Sequence, residues 1–173
     1  MEEKNMQYYI LEDRGIPAAG KDGRYWIYDF EKREWAPDAH HIFSDAVMGY
    51  DPDEPEDSPY RIGNTDVMEK VKPVSCEAVR KMIDQHAIRT LIDKWKKELP
   101  EKKKEWDKKP GWPAKYVSTS FSLNQTRYVI LPEDLIDNPD SLDEGFFESI
   151  QRDLEKDLLA IGAADIVHAG DLD

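Results

Sequence analysis

Gly15-Ile16-Pro17-Ala18-Ala19-Gly20-Lys21 has the G-x-x-x-x-G-K spacing of a phosphate-binding loop. In that loop backbone N–H groups cradle the phosphates and the lysine reaches the outer ones. Asp22 stands where the motif needs a magnesium-ligating hydroxyl, and its carboxylate would repel phosphate. Pro17 removes one N–H from the cradle, and the segment leads into a strand rather than a helix N-terminus. It reads as a loop between strands.

The four histidines are His40, His41, His86 and His168. On a helix, His41 and Asp45 stand one turn apart with Asp38 nearby, the nucleus of a metal site. A site needs three or four convergent ligands, and the neighbours His40 and His41 point apart, so no metal is expected. His86 falls on or beside an apolar helix stripe and is expected to be partly buried. Asp51-Pro52-Asp53-Glu54-Pro55-Glu56-Asp57 resembles a calcium loop only in charge, because Pro55 and Glu56 occupy its fifth ligand and sixth glycine positions. A solvated acidic loop is the better reading.

Nucleophile signatures are missing: the chain has no G-x-S-x-G, S-x-x-K or H-E-x-x-H. Cys76, the one cysteine, falls in a first helical turn, where the dipole would favour its thiolate. It needs a basic partner to act as a nucleophile, and only the fold could bring one of the distant histidines close, so an ordinary boundary cysteine is expected. No catalytic residue and no cofactor are assigned. Lys94–Lys115 carries nine lysines interleaved with Trp95, Trp106 and Trp112, the composition of a single-strand nucleic-acid groove. Trp95 extends an apolar ladder and should be core, and Glu98, Glu101, Glu105 and Asp107 dilute the field.

The elements that would position these residues follow from periodicity. Met6–Leu11 and Tyr25–Phe30 read as antiparallel strands with a long connection between them. Asp38–Tyr50 reads as a short helix capped by Asp38 and stopped at Gly49. Val67–Val74 reads as a strand confined to an edge by Pro73. Ser75 caps a long helix in which Val79, Ile83, Ala87, Leu91, Trp95 and Leu99 recur every fourth residue, up to or past Pro100. Tyr116–Leu123 and Arg127–Leu131 form a hairpin turning at Asn124-Gln125-Thr126. In the last helix Ser141 and Glu144 make a capping box. Leu142, Phe146, Phe147, Ile150, Leu154 and Leu158 form its stripe, with Gly162 at its C-terminal cap. Residues 163–173 read as a loose tail in which Ile166 and Val167 could add an edge strand. The fold class is therefore α+β: a mostly antiparallel sheet of about five strands, packed by a long central helix and a C-terminal amphipathic helix. A single domain over 1–173 is preferred, with a subdivision at 1–74 and 75–162 allowed.

Over 173 residues, 24 Lys and Arg against 37 Asp and Glu give a net charge of −13. Residues 1–60 carry a net −9, residues 61–131 carry +7, and residues 132–173 carry −11. No apolar run approaches the length of a membrane span, and Met1-Glu2-Glu3-Lys4-Asn5 lacks a secretory pattern. With a single cysteine, these features read as a cytoplasmic protein of a reducing compartment.

Absent catalytic motifs and clustered carboxylates rank a non-enzymatic interaction protein first. Its most specific form is a bacterial-type inhibitor or immunity protein that neutralises a basic partner such as a nuclease toxin. The expected contacts are Asp51, Asp53, Glu54, Glu56 and Asp57, with Glu133, Asp134, Asp137 and Asp140 from the second acidic block. Tyr50, Tyr60 and Trp112 are the aromatic anchors. A small enzyme or ligand-binding domain, its pocket assembled around His41, His86 or Cys76, ranks second. Third is a nucleic-acid binder using Lys102, Lys103, Lys104, Lys108 and Lys109.

Overall fold

The computed structural model describes residues 6–105, 116–137 and 144–170, and shows an α+β chain. The chain divides into two compact units, Met1–Ile83 and Asp84–Asp173. Ser141 of the expected capping box and Leu142 of the stripe lie outside the described residues.

The first unit is built on a five-stranded antiparallel sheet in the order β4-β3-β2-β1-β5. Its strands are β1 (Gln7–Leu11), β2 (Ile16–Lys21), β3 (Arg24–Asp29), β4 (Glu34–Pro37) and β5 (Val71–Val74). The segment expected as a connecting loop is the central strand β2, which corrects the sequence reading. Its small residues explain why. Tyr8 pairs with Ala19, and Ala19 with Trp26, so β2 must be thin where its neighbours carry rings. Gly20 lies so close to the Tyr25 ring that an added Cβ would stand 3.0 Å from it. Pro17 sits one residue outside the β2–β3 ladder and so removes no rung from it. The turn into β3 is Asp22-Gly23, both at positive φ (51° and 73°). That is the two-residue hairpin connection whose twist suits flanking strands.

Because side chains alternate along a strand, the sheet has two apolar faces. On one, Tyr8, Ala19, Trp35 and Val74 pack with Cys76, Val79 and Ile83 from the start of α3 (Cys76–Glu105). On the other, Leu11, Ala18, Tyr25 and Ile27 pack with Ile42, Phe43, Ala46 and Val47 of α1 (Ile42–Met48). Asp38 caps α1 as expected, although three residues ahead of the N-cap. Its Oδ2 accepts from Phe43 N (3.1 Å), Ser44 N (2.9 Å) and Ser44 Oγ (2.9 Å). The strand expected over Val67–Val74 is shorter. Asn64 caps a turn of helix, α2 (Thr65–Met68), by accepting from Asp66 N, and pairing begins only at Val71. β5 is an edge strand, as Pro73 requires. Ser75 Oγ accepts from Ala78 N at 3.1 Å and starts α3.

The second unit has a three-stranded antiparallel sheet, β7-β6-β8, from β6 (Tyr116–Leu123), β7 (Thr126–Ile130) and β8 (Ala164–Gly170). The expected tail thus contributes a full strand. Asn124 and Gln125, both at positive φ, make the two-residue turn of β6–β7. Phe121, Leu123 and Ile130 of this sheet share one core with Leu91, Trp95 and Leu99 of α3. Leu135 of α4 (Pro132–Leu135) and Phe146, Ile150, Leu154 and Leu158 of α5 (Glu144–Ala160) complete it. At the end of α5, Gly162 N donates to Leu159 O and Ala163 N to Leu158 O, with Gly162 at φ 87°. This pair of bonds is the Schellman closure. α3 does not stop at Pro100 but runs on to Glu105.

Asp84 and Thr119 are this unit's buried polar residues among those described, and Thr119 holds the half-buried His168. Asp84 of α3, 1% exposed, accepts Asn124 Nδ2 at 2.6 Å and the Tyr128 hydroxyl at 3.1 Å. Burial, followed by the Asp84 charge, pushes the Tyr128 pKa up. His168 Nδ1 shares a 2.8 Å hydrogen bond with Thr119 Oγ1, while its Nε2 is buried without a hydrogen-bond partner among the described residues. Burial lowers the His168 pKa, and Glu155, 3.9 Å away, only partly offsets it. Because the folded state resists the proton, the unfolded chain takes it up first as pH falls below about 6.5. His168 therefore costs nothing above that pH and erodes stability below it, until the folded value is passed. His168→Gln should flatten the dependence of urea midpoint on pH as pH falls below about 6.5. An unchanged slope would show that other groups carry it.

Candidate functional site

The first acidic block is a closed loop whose two ends are tied together. Gly49 ends α1 at φ 66°, Met48 O accepts from Gly63 N (2.9 Å), and Gly49 O accepts from Asn64 N (3.0 Å). A Cβ at Gly49 would stand 2.7 Å from both Asn64 N and O, so the backbones meet here because the residue is glycine. Gly49→Ala should therefore cost about 2 kcal/mol in urea unfolding, from left-handed strain and the displaced backbone. A neutral substitution would mean that the closure opens freely.

Inside the loop, Arg61 acts as the organising cation. It donates to Glu54 O at 2.7 Å and to the Tyr50 hydroxyl at 2.8 Å, and lies 5.3 Å from the Tyr50 ring centroid. Asp51 N donates to Arg61 O at 2.9 Å. The Asp51 carboxylate accepts from Asp53 N (3.0 Å) and from Asn64 Nδ2 (2.9 Å). Glu54 Oε2 accepts from Ser58 Oγ at 2.7 Å. The five loop acids thus divide into two kinds. Asp51 and Glu54 are half-buried and build the loop. Asp53, Glu56 and Asp57 are exposed, and their carboxylates make no hydrogen bond or ion pair among the described residues. Tyr50 is half-buried under Arg61, whereas Tyr60 is 70% exposed.

The second acidic block lies in the other unit. Asp134 accepts from Leu131 N at 2.8 Å and so caps α4, while Glu133 and Asp137 are exposed. Asp140 and Trp112 lie outside the described residues. Sequence reasoning missed Met48, Ile62 and Met68, which are exposed beside the loop ends. It also missed Arg61, whose signal was its place as the first base after the acidic run.

The remaining candidates are spread through the fold. His41 is the N-cap of α1, its Nδ1 3.3 Å from Ser44 Oγ, and Asp38 is occupied by capping. No group of three or more His, Cys, Asp or Glu able to hold a metal occurs among the described residues. His86 is exposed, not partly buried as expected, because it turns off the Val79–Leu99 stripe. Cys76 is half-buried in a cleft of about 750 Å³, lined among others by Gln7, Tyr8, Ser75, Glu77 and Arg80.

Three lysines of the stretch, Lys94, Lys102 and Lys104, are paired with carboxylates. Asp157 accepts from Lys94 Nζ (2.7 Å) and from Trp95 Nε1 (2.8 Å), and the bond that Lys94 donates raises its pKa. Lys102 lies 4.8 Å from the Trp95 ring centroid and 3.4 Å from Asp153, and Lys104 pairs with Glu101. Trp95 is 1% exposed and belongs to the core. Lys108, Lys109 and Trp106 lie outside the described residues. Among the described residues no helix is long and apolar enough to cross a membrane. No protein-family model matches the chain, and no curated protein or solved structure matches it significantly.

Proposed function

We propose that the chain is a non-enzymatic interaction protein that docks on a basic protein partner, in its most specific form an inhibitor or immunity-type protein covering the phosphate-binding cleft of a nuclease-like toxin. The observation that carries this reading is the division of labour in the loop. Asp51 and Glu54 hold a fixed conformation with Arg61, and Asp53, Glu56 and Asp57 are left free to face a partner. A loop already fixed in conformation loses little freedom on docking, and its free carboxylates steer an oppositely charged surface toward it.

Capture from native lysate at low salt, release at high salt and mass spectrometry would identify the partner. With that partner, D53N/E56Q/D57N should slow association about tenfold or more at low ionic strength, with dissociation little changed. The difference should vanish at high salt. An on-rate untouched by the triple substitution would sink the electrostatic reading.

The cleft at Cys76 favours a second reading, a small-ligand binding domain, since it places a thiol and the Glu77 carboxylate along one concave wall. A fragment screen read by amide shifts at Gln7, Ser75 and Arg80 tests it. Silence at all three would count against it.

A further inference from the structure

We infer that an apolar cluster beside the acidic loop, Met48, Ile62 and Met68 with Tyr60 next to it in the chain, anchors the partner, and that the partner offers a segment whose apolar side chains are set among lysines or arginines. The inference rests on the docking reading above and adds what that reading lacks, the source of affinity.

The geometry brings Met48, Ile62 and Met68 to one place. The bonds Gly63 N to Met48 O and Asn64 N to Gly49 O hold Ile62-Gly63-Asn64 against the end of α1. Met68 closes the group from α2, its Cγ 2.9 Å from where a Cβ on Gly49 would stand. Met48 is 54% exposed, Tyr60 70%, Ile62 66% and Met68 43%. They are the exposed large hydrophobics of the first unit's described residues, and all fall between positions 48 and 68. Apolar side chains scattered singly need no account, whereas a group of them rimmed by polar residues marks an interaction surface.

The free carboxylates of Asp53, Glu56 and Asp57 belong to the same closed loop and give the rim its sign. Two copies meeting through this same face would bring like charges together, and the free carboxylates select a cationic partner surface. Rim charges set how fast the partner arrives, and a desolvated centre sets how long it stays. Methionine suits such a centre because its unbranched thioether adapts to the groups it meets. Lysine and arginine stems can lie along the apolar group while their charged ends reach the rim.

The test titrates the full chain with two synthetic peptides of equal positive charge. One is built of lysine and leucine with the leucines on a single helical face, the other of lysine and serine. The lysine–leucine peptide should bind about tenfold tighter or better, and Ile62→Ser or Met68→Ser should each remove most of that advantage without changing the salt dependence. D53N/E56Q/D57N should instead flatten the salt dependence for both peptides. Equal binding of the two peptides, still lost in the triple variant, would overturn the apolar anchor and leave the docking reading standing. Failure of both peptides to bind would overturn the inferred partner chemistry, while lysate capture decides the docking reading separately. Concentration-dependent self-association abolished by Ile62→Ser would make the occupant a second copy and overturn the inference.

Discussion

Asp84→Ala is expected to lower the unfolding free energy by about 2–4 kcal/mol, although it removes no apolar atom from the core. Its carboxylate is 1% exposed and accepts from two groups of the β6–β7 hairpin, the Asn124 amide and the Tyr128 hydroxyl. Removing the acceptor leaves both donors without the partner around which they are arranged. Asn124 is exposed and recovers water, so the Tyr128 side carries the larger share of the loss. Tyr128→Phe removes one donor and keeps the ring packed near Phe121, and should cost about 1 kcal/mol. The double variant should cost less than the two single losses together, because the same bond is broken in each. Urea unfolding of the four proteins checks this. A loss under about 0.5 kcal/mol for Asp84→Ala, the range of ordinary surface changes, would show that the carboxylate is dispensable.

Phe43→Ala should cost about 3–5 kcal/mol by a different route, since it opens a cavity. Phe43 is fully buried, with the Tyr9 and Tyr25 rings 5.0 and 5.1 Å away. Leu11, Ala18 and the rest of α1 complete its surroundings. Rings on β1 and β3, held on either side of β2, cannot collapse into the gap without leaving their registered positions, so most of the cavity should persist. Because Phe43 belongs to one core cluster and Asp84 lies in the other unit, hydrogen exchange can resolve where each loss is felt. Phe43→Ala should reduce protection in β1, β2 and β3 while that of β6 and β7 is kept. Equal loss in both sheets would instead mean that the units unfold as one, coupled through the shared helix α3.

Where periodicity was strong, the chain could be read directly. The α3 ladder, the β6–β7 hairpin and the α5 stripe all appear where their apolar spacing put them. β2 was illegible for a physical reason. Proline, alanine and glycine have low strand propensity, and Ile16–Lys21 becomes a strand because ring-bearing neighbours leave room only for small residues. The same tertiary demand fills the G-x-x-x-x-G-K spacing with backbone pairing. In the acidic loop the carboxylates were legible as a block, but not their division. Asp51 and Glu54 are drawn inward by Asn64, Ser58 and Arg61, partners four to thirteen residues away that no local pattern encodes. The exposure of Met48, Ile62 and Met68 was hidden for the opposite reason, since hydrophobic residues are expected inside.

The edges of the five-stranded sheet bear on aggregation. Its outermost strands, β4 and β5, have only four residues each, and each contains a proline, Pro37 and Pro73. A strand that short with one donor missing makes a poor template for another chain, and exposed Glu34 and Lys72 add charge to it. Strand-by-strand growth into fibres is thereby obstructed at both ends of the sheet, and so is recognition by strand addition.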